Sequence, residues 1–432
     1  MRVKLALTLA LACGWLALST WLAQPWIQDL GEIFTLPGAW LIVIGVALLP
    51  GFASAFVLAA LVMDRRPRYT ERSALPPISI LVAAYNEQAA IGETLASIAA
   101  QLYPGAVETL VIDDGSTDRT AAVVREFVAR GAHPPNHRIE LVQAPVNGGK
   151  ARALNLGLAR ARHDLIVTVD ADTLLYRDAL ARLINNLESG PPNTAAVAGT
   201  VLVRNSRRNL MTKLQEWDYF HGIAIVKRTQ SLFQGTLVAQ GAFSAYRRRA
   251  LEEAGGWPHT VGEDIVLTWA LLWRGYRVGY AENAFVFTNV PETLGAFYRQ
   301  RRRWARGLIE AFKRYPGIMF RWKSYSPFIF FNLCFPYIDF MYLFVFVPGV
   351  IVALLFQWYA IAGILTLLLL PLALLCNVVM YLRQREIFAR YGLKVRRNIA
   401  GLLTYVLAYQ LFLSPASLAG YLGEFLGWRK RW

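Results

Sequence analysis

The sequence predicts an α/β domain with a mostly parallel sheet, inserted between two blocks of membrane-spanning helices. Three observations carry that expectation. Long apolar runs lie near both ends, strand-like and helix-like patterns alternate between them, and acidic clusters follow directly on the strand-like runs. Of 432 residues, 55% are hydrophobic, and the mean hydropathy is +0.35. The apolar excess sits in the terminal runs, so a membrane protein with a polar insert fits better than a wholly soluble chain.

The first block holds two runs, 5–23 and 39–63, each long enough for a hydrocarbon core that needs about 20 apolar residues. The first run also has the basic start (Arg2, Lys4) and small-residue stretch (Ala17-Leu18-Ser19) of a cleavable signal peptide. The intervening loop, 24–38, carries Asp29 and Glu32 but no Lys or Arg, whereas Arg65, Arg66, Arg68 and Arg72 follow the second run. Positive charge marks the cytoplasmic side, so the insert is expected in the cytoplasm, behind N-terminal spans within 1–68. Three further spans are expected within 327–432, at 335–356, 360–382 and 399–422. Five spans would leave Arg429-Lys430-Arg431 outside, against the same rule.

The net charge of +16 comes from 45 Lys+Arg against 29 Asp+Glu. Many of these cations flank apolar runs, including Arg383, Arg385, Arg390, Lys394, Arg396 and Arg397, which points to membrane lipids as partners and away from nucleic acid. Cys13, Cys334 and Cys376 all fall in apolar segments without a CxxC or Cys/His pattern, which argues against a disulfide framework and a zinc site.

The insert, 72–290, begins after Ala74-Leu75-Pro76-Pro77. Strand-like runs at 78–83, 109–112, 140–142 and 165–169 alternate with helical patterns at 89–101, 117–130 and 149–162, the spacing of a parallel α/β sheet. Ligands of such sheets sit beyond the carboxyl ends of the strands. Ala84-Tyr85-Asn86-Glu87, Asp113-Asp114 and Asp170-Ala171-Asp172 each follow a strand, so three polar clusters converge on one edge.

Each cluster has a structural and a chemical reading. Asp113-Asp114-Gly115-Ser116 makes a turn and a helix cap, or offers carboxylates to a base or ribose. Asp170 and Asp172 are a polar loop, or two carboxylates that face one way and need a hard cation to offset their repulsion. Glu263-Asp264 complements a helix dipole, or makes Asp264 a general base that accepts a hydroxyl proton as the new bond forms. Arg299–Arg306, five arginines around Trp304, is an interfacial helix in 291–326, a phosphate-binding surface, or both. Asn147-Gly148-Gly149-Lys150 lacks the full Walker pattern, but a helix starting at Lys150 can help hold an anion.

Taken in order, these motifs resemble those of processive, membrane-integrated glycosyltransferases of family 2, and within them the poly-β-1,6-N-acetylglucosamine synthases. Ile225-Val226-Lys227-Arg228-Thr229-Gln230 and Pro291-Glu292-Thr293-Leu294 add to that likeness. The resemblance implies a GT-A fold and an inverting, Mg2+- or Mn2+-dependent transfer from a UDP-sugar to a growing polysaccharide. It implies nucleotide contacts at Ala84, Glu87, Asp113, Asp114, Lys150 and Asp170, with the metal at Asp172 and Asp170. Asp264 becomes the base, and Gln300, Arg303 and Trp304 the element beside the diphosphate and acceptor. A small membrane subunit is implied as a partner, and Asp339 is a candidate lining residue of an export path. Two positions depart from the pattern: Gly262 stands where Thr is commoner, and Asp113 where Asn is often found. With only Trp428–Trp432 after the last span, no PilZ-type regulatory domain is expected. The alternatives are a hyaluronan-, chitin- or glucan-type synthase, single-sugar transfer to a lipid, and an inactive scaffold that binds nucleotide sugar.

Overall fold

The structure, a computed structural model, describes residues 1–64, 74–394 and 396–428. The basic cluster after the second apolar run, the first residues of the expected insert and the C-terminal cations lie outside the described residues. The N-terminal block is α1 (Arg2–Leu22), α2 (Gln24–Val43) and α3 (Leu49–Val62), with a π-helical turn, Ile44–Leu48, joining the last two. The expected loop at 24–38 is helical instead. Pro25 occupies the first turn of α2, where its missing N–H costs nothing. A single kink at Thr35 (φ 65°) ahead of Leu36-Pro37 absorbs the second proline.

The central domain runs β1 (Ile78–Ala84), α4 (Ile91–Ala99), β2 (Val107–Asp113), α5 (Thr120–Ala129), β3 (His137–Gln143), α6 (Lys150–Arg160), β4 (Leu165–Asp170), β5 (Leu174–Leu175), α7 (Ala179–Glu188) and β6 (Thr194–Val203). It continues through α8 (Leu210–Trp217), a π-helical stretch (Asp218–Ile225), α9 (Val226–Leu232), β7 (Phe243–Arg247), α10 (Arg248–Ala254), α11 (Glu263–Trp273) and β8 (Arg277–Thr288). The strands form one sheet in the order β3-β2-β1-β4-β7-β6-β8-β5. Its first half, β3 to β4, is parallel; β7 and β5 pair antiparallel to their neighbours, and β6 pairs parallel to β8.

The near-continuous apolar strands explain why both faces of the sheet are covered. Ile78, Ile80 and Val82 pack on Leu95, Ile98, Leu180 and Leu183 on one face. Leu81, Leu110 and Ile112 pack on Leu154, Leu158, Trp257 and Trp269 on the other. Register then fixes the site edge: Ala84 pairs with Asp113 and Ala83 with Asp170. The strand order turns at β1, which places the crevice between the ends of β1 and β4.

After the sheet come α12 (Leu294–Arg314), a 3-10 turn (Pro316–Phe320), α13 (Ser326–Met341), a π-helical turn (Tyr342–Phe346), α14 (Val347–Phe356), α15 (Ile364–Arg390) and α16 (Ile399–Phe425). Among the described residues, Arg2–Leu22, Gln24–Val62, Ser326–Phe356 and Ile399–Phe425 are long and apolar enough to cross a membrane. Leu7, Trp21, Leu354 and Phe356 stand exposed on them, as lipid-facing side chains do. Asp339 is buried and accepts hydrogen bonds from Gln410 Nε2 (2.7 Å), Ser414 Oγ (2.7 Å) and Tyr421 Oη (3.1 Å). It therefore fastens α13 to α16.

Candidate active site

The edge at the strand ends is built from short loops that hold one another. Asn86 adopts a left-handed conformation (φ 56°), which turns the chain sharply after β1. Its N–H donates to Ser116 Oγ (2.9 Å), and its side-chain oxygen accepts from Thr117 N–H (2.9 Å). The Glu87 N–H donates to Thr120 Oγ1 (2.8 Å). Asp113 accepts from Ser116 N–H (3.0 Å) and Gln143 Nε2 (3.3 Å). Asp114 accepts from the N–H groups of Gly148 (3.0 Å) and Gly149 (2.7 Å). Both aspartates are buried, so they hold the loops together more than they offer free oxygens to a ligand.

Carboxylates crowd the next layer. Burial, then Asp172, Asp170 and Asp118, push Glu87 up to about 7. Burial and Asp170 also raise Asp172, against Lys150 and a hydrogen bond from Thr288 Oγ1 (3.4 Å). Glu87, Asp170 and Asp172 thus lie within electrostatic reach of one another, an excess of negative charge suited to a hard cation. Among the described residues, no three His, Cys, Asp or Glu side chains form a ready cage. A divalent ion that keeps waters and takes phosphate oxygens as ligands fits such a partial donor set.

Lys150 joins this edge to the second acidic motif. Its ammonium pairs with Asp170 Oδ1 and lies 3.7 Å from Glu263 Oε1. Burial works against its charge, but Asp170, Glu263 and Asp264 outweigh that and hold its pKa above the usual range. Gly241 fills the space between them. Its N–H points at Asp264 Oδ2 from 3.4 Å, and a β-carbon there would lie 2.6 Å from Lys150 Nζ and 3.8 Å from Asp170 Oδ1. The structure therefore brings Asp170-Ala171-Asp172 and Glu263-Asp264 into one crevice. Asp264 sits in the first turn of α11, where Ile265 N–H donates to its Oδ1 (2.7 Å). Burial pushes Glu263 up, Lys150 opposes that, and Arg303 on α12 acts in the same downward sense.

The departure at Gly262 has a steric cause. A β-carbon on Gly262 would lie 2.5 Å from Gly307 Cα, so the start of α11 touches the backbone of α12. The Gly262 N–H also donates to buried Glu310 Oε2 (3.0 Å). Further along α12, Gln300 is partly buried, while Arg303 and Trp304 are exposed. Sequence reasoning missed Gly241, Gly307 and Glu310, which touch the motifs only through the fold. Lys227, singled out in the sequence only as part of the Ile225–Gln230 likeness, has an ammonium that donates to Val238 O (3.0 Å) and Gln240 Oε1. Burial pulls Lys227 down to about 7, with Asp264 opposing.

Residues 79–255 match the model of glycosyl transferase family 2. The chain carries a family 2 glycosyltransferase domain. It is 35% identical over 246 residues to a poly-β-1,6-N-acetyl-D-glucosamine synthase of Staphylococcus epidermidis, covering 57% of this chain and 58% of the relative. The synthase of that name from Staphylococcus aureus strain COL is 35% identical over 241 residues, 56% of each chain. The chain thus spans a little over half the length of these curated relatives. In the fold, it is similar to a mannosyltransferase from Pyrobaculum calidifontis solved with GDP-Man and Mn2+, with a TM-score of 0.59 at 21% identity, over 90% of this chain and 100% of that one. The glycosyltransferase domain accordingly has the GT-A-type mixed sheet that the sequence predicts.

Proposed function

We propose that this glycosyltransferase polymerises a β-linked polysaccharide from a UDP-sugar, and that the donor is UDP-N-acetylglucosamine and the product poly-β-1,6-N-acetylglucosamine. The observation that carries the reading is the junction of Asp170 with Glu263-Asp264 through Lys150 and Gly241. It sets a cation-seeking pair beside a carboxylate able to act as a base. The 35% identity to the staphylococcal synthases supports the choice of sugar.

In this reading Asp172, with Asp170, would hold a Mg2+ or Mn2+ ion, which would supply positive charge to offset that on the departing diphosphate. Glu87 and the loops tied by Asp113 and Asp114 enclose the nucleoside beside Ala84. Asp264 accepts the proton of the acceptor hydroxyl as its oxygen bonds to C1 of the donor sugar. The C1–phosphate bond breaks on the opposite face, UDP leaves with the electron pair, and the configuration inverts. Arg303 lies on the side of Glu263, where a guanidinium can meet phosphate oxygens. Trp304 offers a flat, 38% exposed ring to the growing end. The catalytic domain faces the cytoplasm of a bacterial inner membrane, and the spans conduct the polymer outward, with lipids and a small membrane subunit as neighbours.

A donor panel tests this. Membranes containing the protein are supplied in turn with UDP-N-acetylglucosamine, UDP-glucose and UDP-glucuronic acid, and UDP release and product linkage are measured. Turnover with UDP-N-acetylglucosamine and a β-1,6 product is expected. A hyaluronan-, chitin- or glucan-type product would overturn the sugar assignment. Transfer that stops after one residue would overturn polymerisation.

A further inference from the structure

Trp304 is exposed on one side only. Its other face rests on Arg301, one helical turn earlier in α12, with the guanidinium carbon 4.1 Å from the ring centroid. Arg301 is 4% exposed, and its Nη2 lies 2.6 Å from Asp218 Oδ2, on a side chain 8% exposed. Phe297, one turn before Arg301, places its ring 5.0 Å from the same guanidinium, so the cation is layered between two aromatic faces. Tyr219, next to Asp218, adds a ring 6.3 Å from Trp304 and inclined at 51°.

The contacts of Arg301 are unusual for a buried arginine. Its Nε meets no acceptor, and its Nη2 reaches a single carboxylate oxygen, Asp218 Oδ2. Charge and flat stacking hold it, rather than the forked hydrogen bonds that arginine usually makes. Asp218 has room because residue 222 is glycine; a β-carbon there would come within 2.9 Å of Asp218 Oδ1. Asp218 also opens the π-helical stretch Asp218–Ile225, a local widening that brings this segment of the domain against α12.

We propose that Arg301, anchored by Asp218, is a positioning residue that sets the plane of the Trp304 ring on which the terminal sugar of the acceptor stacks. This rests on the reading of Trp304 as the acceptor platform. It separates the work of two neighbouring arginines: exposed Arg303 faces the diphosphate side, and buried Arg301 acts only through the tryptophan. Lysine at 301 keeps the charge opposite Asp218 but loses the planar face. It is the informative substitution.

The experiment compares wild type, Arg301→Lys, Trp304→Ala and the double variant, with UDP-N-acetylglucosamine as donor and a short β-linked N-acetylglucosamine oligosaccharide as acceptor. Arg301→Lys is expected to raise the acceptor KM by about tenfold, the scale of a desolvated cation–π contact, and to shorten the product. The donor KM should stay within about twofold, as for loss of an acceptor contact alone. In the Trp304→Ala background the same change should have no further effect on acceptor KM. Phe297→Leu, which thins the layer beneath Arg301, should shift acceptor KM the same way to a smaller degree, and it keeps the test available if Arg301→Lys does not fold. A lower kcat with both KM values unchanged, or an Arg301 effect that persists without Trp304, would overturn the positioning role. If Trp304→Ala itself left acceptor KM and product length unaltered, the platform reading would fall first, and this inference with it.

Discussion

The loops at the ends of β1, β2 and β4 are held by hydrogen bonds between close neighbours in the sheet, whereas α11 and α12 are held by backbone contact and buried charge between distant segments. On the proposed donor side, Asn86 and Asp114 each accept an N–H from an adjacent loop, and Asp113 accepts one from Ser116 within its own loop. On the acceptor side, Gly262 meets Gly307, Glu310 reaches back to the Gly262 N–H, and Arg301 pairs with Asp218. Hydrogen-bonded loops can shift a few tenths of an ångström as a nucleotide enters and leaves. Touching backbones cannot, and a close-packed joint transmits any change in volume. The proposed base and the proposed acceptor platform thus ride on the stiffer half.

The largest expected effect breaks the donor half at its charge centre. Asp172→Ala should lower kcat/KM by about 10²-fold or more, since it removes the proposed ion's principal carboxylate. Steady-state UDP release with and without added Mn2+ measures it, and the variant should lose its response to the ion. Next comes the stiff joint. Gly262→Thr would press a side chain against the α12 backbone, where a β-carbon has only 2.5 Å. Overpacking of this kind costs about 1–3 kcal/mol, so thermal unfolding should begin earlier and turnover should fall with donor affinity largely kept.

Asp114→Ala gives the converse outcome. It strips two N–H groups of a carboxylate partner, at about 1.5–3 kcal/mol for hydrogen bonds to a charged group, and loosens the Gly148-Gly149 loop. UDP affinity should weaken while acceptor KM holds, as titration calorimetry and initial rates can tell. Equal losses of donor and acceptor affinity would erase the contrast between the halves.

A smaller effect concerns Lys227. Its pKa falls from 10.5 to about 7 on folding. Above pH 10.5 both states are neutral there and the cost of the group vanishes; between 10.5 and 7 the unfolded chain binds a proton that the folded chain does not. Stability from this group therefore declines as pH drops through that window and is flat below it. Lys227→Met should flatten the rise of the unfolding midpoint between pH 7 and 9. An unaltered slope would place the titration elsewhere.

This contrast also decides what the sequence disclosed. Asp170 and Asp172 were legible because a strand end fixes where both point, and register with β1 did the rest. Glu263-Asp264 was legible as a pair at a helix start, though its approach to Asp170 depends on Gly241 and Lys150, which come from separate segments. Glu310 has no local pattern that sets it apart, because its burial against Gly262 comes from the packing of α12 on α11. Arg301 was indistinguishable from its neighbours in the arginine run, because burial opposite Asp218 is set by the packing of α12 and not by local pattern. The helical 24–38 segment was hidden by prolines and acids that a loop would also contain. Asp339 was legible as a polar intruder in an apolar run, but its three donors all come from α16.

The most direct test of the shared crevice is UDP release by Asp264→Asn, measured with UDP-N-acetylglucosamine and Mn2+ alongside UDP binding to the same preparation. Loss of the general base should reduce turnover by about 10²–10⁴-fold while Mn2+-dependent UDP binding persists. Turnover at the wild-type rate would contradict the account, because it would leave Asp264 beside the charge cluster with no part in the chemistry.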